Sequence, residues 1–158
     1  MPKSETARIA EQLRLAMSGD TWAGVCVSGV LADITAAQAA TRPLTNAHTI
    51  WELVLHIETY LAAALEPLAG KPMPHIYKTP ADWRSPEDTS SAAWKDLLER
   101  LQRSGSALAE AIERFDPARL GDTVPNREYD FYYLLHGVVQ HTFYHLGQIM
   151  MVKKAAQP

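Results

Sequence analysis

The chain has 158 residues, 47% of them hydrophobic and 21% charged, with a formal net charge of −3 and one cysteine. That is an ordinary globular balance and long enough to bury a core unaided, so a single domain over residues 1–158 is expected. Mild acidity without a block of like charge argues against a nucleic-acid partner, a lone cysteine excludes an internal disulfide, and no apolar run reaches the roughly twenty residues of a bilayer span.

With no apolar stretch behind Met1 to Thr6 to serve as a signal peptide, the cytoplasm is the expected compartment and a membrane is not an expected partner. Ser4 fits an N-cap, and the run that follows it to Met17 is helical in pattern. Ser18-Gly19-Asp20 interrupts it, and helical character resumes from Thr21 to Ala39, weakened by Gly24 and Gly29, which mark a close helix approach or merely lower propensity. Cys26 sits in this mostly apolar stretch and reads as a small buried hydrophobe, since no electropositive neighbour is there to make it reactive.

Pro43 lies in a connection, and Asn46 is a suitable cap for an amphipathic helix running to Ala69, with Gly70 as its stop. Ile50, Leu53, Val54, Ile57, Leu61 and Leu65 form its apolar stripe. Lys71 to Asp88 is a long loop with prolines at 72, 74, 80 and 86; its His75, Tyr77, Trp83 and Arg84 either touch a ligand or pin the loop to the rest. Thr89 or Ser90 caps a helix to about Phe115, Gly121 to Asn126 is a turn, and Arg127 to Lys154 is the last helix. Four long amphipathic helices without period-two alternation predict an all-α four-helix bundle.

The sequence has histidines at 48, 56, 75, 136, 141 and 145. At the helical repeat, His141 and His145 lie about 40° apart and one turn apart, a spacing that lets two imidazoles chelate one metal. His136 is about 140° round from His141 and faces elsewhere. His56 borders the apolar stripe of its helix, as a ligand at the mouth of a bundle would. Spacing alone does not join His56 to the pair, and packed, hydrogen-bonded histidines are the plainer alternative.

The stretch His136-Gly137-Val138-Val139-Gln140-His141-Thr142-Phe143-Tyr144-His145-Leu146-Gly147-Gln148-Ile149 resembles the last-helix motif of the DinB-like (DinB/YfiT) superfamily, a His, three residues, then His-x-Gly-Gln-Ile. Thr49 to Ile57 looks like its second-helix motif, and Gly19-Asp20-Thr21-Trp22, Trp83 and Trp94 fall in familiar places, so the resemblance covers nearly the whole chain. It implies an antiparallel four-helix bundle with a long crossover, frequent homodimers, and one divalent metal (zinc first, then nickel or iron) on His56, His141 and His145. Many members carry Arg where this chain has Leu146, which puts any substrate contact of that Arg in doubt.

Three imidazoles with open positions suit a catalytic metal. The resemblance implies a thiol S-transferase acting on a small-molecule electrophile, with bacillithiol, mycothiol or glutathione as the thiol. A hydrolase using a metal-bound hydroxide, and a non-enzymatic metal-binding stress protein or dimeric structural bundle, are the alternatives. Glu52, one turn before His56, reads as a general base or a partner to a ligand, or else as a solvated carboxylate. Gln148 reads as an orienter of an imidazole or of bound water, or as an internal hydrogen bond, while Tyr60 and Tyr144 are candidates for the site rim.

Overall fold

Local chemistry sets each helix boundary in the computed structural model, which describes residues 2–156. The Ser4 side chain accepts from Ala7 N and starts α1 (Glu5–Ser18). The stretch from Thr21 to Ala39 is not one resumed helix. Gly24 takes a left-handed φ of +74° in a turn that Thr21 Oγ1 closes on the Val25 backbone, and only α2 (Val27–Leu31) follows. Thr35 then opens α3 (Ala36–Ala40) with a capping box to Gln38.

The cap of α4 (Ile50–Ala63) is Thr49, not Asn46: Thr49 and Glu52 form a reciprocal capping box, which satisfies two amides where Asn46 would satisfy one. Pro67 explains why the helix stops short of Ala69. A proline has no amide to donate and clashes with the carbonyl four residues back, so α4 ends at Ala63 and a short α5 (Leu65–Leu68) follows before Gly70, φ +78°. Ser90 caps α6 (Ser91–Arg114), and a 3-10 turn occupies Pro117–Arg119. α7 (Phe131–Ala155) begins at the cap Asp130 rather than at Arg127. Arg127 is drawn off instead, donating to the carbonyls of Met73 and Pro74.

Side-chain pairings fix the direction of each helix. Arg14 pairs with Glu113, and Met17 reaches Gly105, so α1 and α6 are antiparallel. Glu5 approaches His136, while Lys153 near the end of α7 reaches Val30 beyond α1, so α1 and α7 run together. Trp51 packs on Trp94 and Glu58 meets Ser104, which makes α4 and α6 parallel. His56 faces His141 and His145, and Tyr60 faces His141, the antiparallel order. The result is an up-down-down-up four-helix bundle. Because α4 and α6 point the same way, the chain from Gly70 to Ser90 must return along the whole bundle, and this is the long crossover.

Ile9, Leu13, Leu53, Ile57, Leu108 and Ile149 fill the centre, each at most 1% exposed. Among the described residues there is no strand, and no helix is long and apolar enough to cross a membrane.

Candidate metal centre

The antiparallel pairing of α4 and α7 sets His56 against His141 and His145. The latter two lie one turn apart and meet edge to face, with ring centroids separated by 4.4 Å. His56 Nε2 lies 3.0 Å from His141 Nε2, and one ligand nitrogen from each of the three residues falls within 4.8 Å of the other two. His56 and His145 are buried and His141 is half-buried. The site therefore opens past His141, not past His56 as its position at the edge of the stripe suggests.

Two of the rings are oriented from behind. His56 Nδ1 donates to the Asp82 carbonyl at 2.7 Å, and His145 Nδ1 donates to Gln148 Oε1 at 2.6 Å. Each bond holds the proton on Nδ1 and leaves the Nε2 lone pair directed at the cluster. Asp82 comes from the crossover and is itself buried, its carboxylate accepting from Tyr60 Oη at 3.1 Å and from Lys78 N at 2.9 Å. The next residue, Trp83, stacks on His48 at 3.6 Å and on His56 at 3.9 Å, both within 4° of parallel. Two imidazoles that close and that parallel fit only on opposite faces of the indole, so Trp83 is clamped between them.

Burial, with the neighbouring His145 and His56, pushes His141 down to about 3. Burial likewise pushes His145 down to about 4, and it lowers His56. The imidazoles are thus neutral at physiological pH, the form that ligates metal.

The Nε2 lone pairs of His56 and His145 face the cluster, and His141 Nε2 completes it with a third ligand once its proton sits on Nδ1. A tetrahedral ion with Zn–N bonds of about 2.0–2.1 Å needs its ligand nitrogens roughly 3.3 Å apart, close to the spacing of His56 and His141. By donor set, by the two tautomers fixed from behind and by ligand atoms gathered within 4.8 Å, the three histidines can hold a metal ion.

A sequence model of the DinB superfamily matches residues 27–149, which takes in all three histidines as well as Asp82, Trp83 and Gln148. The chain belongs to the DinB superfamily. No curated protein and no solved structure matches it.

In this DinB-superfamily bundle the other residues singled out from sequence take distinct places. Gln148 contacts a ligand imidazole directly. Tyr60 lies with its ring 4.7 Å from both His56 and His141. Burial and the Asp82 carboxylate push its hydroxyl up to about 12. Tyr144 is 65% exposed, its ring nearly perpendicular to that of His145 at 4.9 Å.

Glu52 is buried rather than solvated. It accepts from Arg42 at 2.8 and 2.9 Å, from Thr49 N and from Ser85 Oγ, and lies near His48. Burial raises its pKa, but the Thr49 amide and the Arg42 guanidinium outweigh that and hold it below the usual carboxylate value. His136 sits against Tyr132 and 3.3 Å from Glu5, away from the cluster, as its angular offset requires. Cys26 is only half-buried, at the N-cap of α2 beside Ser28. In the crossover, Trp83 pins the loop, Arg84 bonds Thr59, and His75 and Tyr77 are exposed.

Asp82 and His48 escape a reading of the sequence. The one available signal is an Asp-Trp pair in a proline-rich loop too long to be a plain connection.

Beyond His141 lies a cleft of about 330 Å³. Met73, Leu134 and Val138 line it with apolar carbon, Tyr60, Tyr129 and Tyr133 supply aromatic rings, and Gly137 forms part of its floor.

Proposed function

We propose that this protein is a divalent-metal enzyme that joins a low-molecular-weight thiol to a small electrophile. The observation that carries the reading is the double place of His141, which belongs both to the three-histidine cluster and to the wall of the adjoining cleft. A purely structural metal would be closed on all sides. Here a small molecule in the cleft would lie against a ligand residue, at a volume within the usual range for such sites.

His56, His141 and His145 would hold the ion, which when bound supplies Lewis acidity and favours thiolate over thiol. The chain's own residues do the rest. The Asp82 carbonyl and Gln148 fix two imidazole tautomers. Trp83 covers one face of the His56 ring. Tyr60 retains its proton through the neutral range and donates it in a hydrogen bond to the Asp82 carboxylate, so it is no base, and toward a ligand its oxygen is left as an acceptor. Glu52, fully engaged by Arg42 and Thr49, holds the start of α4 and through it the height of His56.

The test begins with elemental analysis of untagged protein beside His56→Ala and His141→Ala. About one equivalent of zinc, nickel or iron, lost in both variants, is expected. The metal-loaded protein is then offered an epoxide and a chloro-nitroaromatic, with and without glutathione, bacillithiol or mycothiol. Thiol-dependent consumption supports the reading. Consumption that ignores thiol would make the protein a hydrolase instead, and none with any thiol would leave a metal-binding bundle without this activity.

A further inference from the structure

The cleft beside His141 has an unusual floor. Gly137 lies in the interior of α7, one turn before His141 on the same face. A glycine inside a helix costs about 1 kcal/mol relative to alanine, and its φ is not among the left-handed ones that would require it. Close packing does not require it either, for a Cβ built there meets no atom within 4 Å. The contrast is Gly105 on α6, where a Cβ would come within 2.8 Å of Met17. What the absent side chain at position 137 leaves is volume, opening into the cleft.

The chemistry of that volume is one-sided. None of its lining side chains is an acid, a lysine or an arginine. Its polar atoms are tyrosine hydroxyls and one imidazole. Tyr129 and Tyr133 stand 5.3 Å apart at a 42° tilt, an open pair of aromatic faces rather than a stacked, closed one. A charged ligand would lose its hydration there and find no counter-ion among the lining side chains, whereas a flat uncharged ring would bury its faces against aromatic and apolar carbon.

We propose that this cleft is the seat of an uncharged aromatic group, and that Gly137 sets the size of the group it admits. The inference rests on the enzyme reading in one respect, that the group seated there belongs to the electrophile. The thiols considered above carry charged groups and would enter by another side.

The probes are nitrobenzene and benzenesulfonate, rings of similar size without and with a charge. Their binding to chelator-treated, metal-free protein, in which the lining side chains alone face the ligand, is followed by amide chemical shifts. In the wild type, nitrobenzene is expected to move the signals of Tyr129, Tyr133 and Gly137, with benzenesulfonate weaker by about tenfold or more.

Gly137→Leu should still load metal when it is offered, which shows that it folds, and should weaken nitrobenzene by about tenfold or more, with Gly137→Ala in between. Gly121→Leu, at another open position outside the cleft and away from the three histidines, should bind nitrobenzene like the wild type. Equal binding of the two probes, or shifts that miss the cleft, would overturn the proposal without any variant, and so would unchanged affinity in a folded Gly137→Leu. The two readings fail separately. Nitrobenzene binding lost in Gly137→Leu with no thiol-dependent turnover anywhere sinks the enzyme and keeps the cleft. Thiol-dependent turnover of a chloro-nitroaromatic that Gly137→Leu leaves intact sinks the cleft and keeps the enzyme.

Discussion

A neutral imidazole with one nitrogen engaged offers the other as a ligand, and the quality of the first bond sets how well the second is aimed. Gln148 does this for His145 at 2.6 Å. Gln148→Leu keeps the size and removes the acceptor, and should weaken metal binding by roughly 10–100-fold with little change in melting temperature of the metal-free protein. Competition with a chromophoric chelator reads the affinity; an unchanged constant would make the bond incidental.

The same residues give the metal-free protein a pH dependence. His141 at about 3 and His145 at about 4 lie below their ordinary 6.5. Between those values and about 6.5 the unfolded chain binds more protons than the folded one, so stability is complete above that range and falls as the pH falls. Thermal melts of chelator-treated protein should therefore drop steadily from pH 7 toward about 4.5. His141→Asn should flatten the drop, and an equally steep drop in that variant would place the titration elsewhere.

Elements are held by caps and by one close crossing. Thr49 and Glu52 start α4, and Glu52 also receives Arg42 from the preceding connection. Thr49→Ala removes one cap bond and should cost about 1 kcal/mol in urea unfolding. Glu52→Ala strips several bonds from a buried charged network and should cost more, roughly 2–3 kcal/mol. Equal small losses would show that Arg42 and Ser85 find other partners.

Where α6 crosses α1, Gly105 faces the Met17 side chain. Its lack of a side chain is what lets the helices approach, a task that sequence alone suggested for Gly24 or Gly29. Gly24 instead serves a turn, and Gly29 meets nothing nearer than Cys26 Sγ at 3.4 Å.

Across the whole molecule, the cluster ties α4 to α7 through residues 85 positions apart in sequence, and the crossover closes over it with Asp82 and Trp83. An ion that binds only this assembled state stabilises it by mass action, by about 2.7 kcal/mol at a hundredfold excess over its dissociation constant. For a chain of this size that is roughly 5–10 °C in melting temperature. Calorimetry with and without chelator should show the difference, and His56→Ala should abolish it. Coincident melts in the wild type would mean that the three histidines share no ion.

The sequence by itself determined the helical class, the pair His141 and His145, and the exclusion of His136, because these follow from the helical repeat, which is local. The joining of His56 to the pair came from the resemblance of its surrounding motif, not from spacing. A helix end was legible where one cap competed with none, as at Ser4. Ends were misplaced where two signals competed: Asn46 against the Thr49 capping box, and an apolar run to Ala69 against Pro67. Only the tertiary structure decided that His141 is the open edge of the site, that Glu52 is spoken for by Arg42, and that Asp82 and Trp83 stand behind His56. Those facts depend on which way α4 and α6 run, and hence on where a proline-rich return must lie. No periodicity within any one segment encodes the packing of four helices against one another.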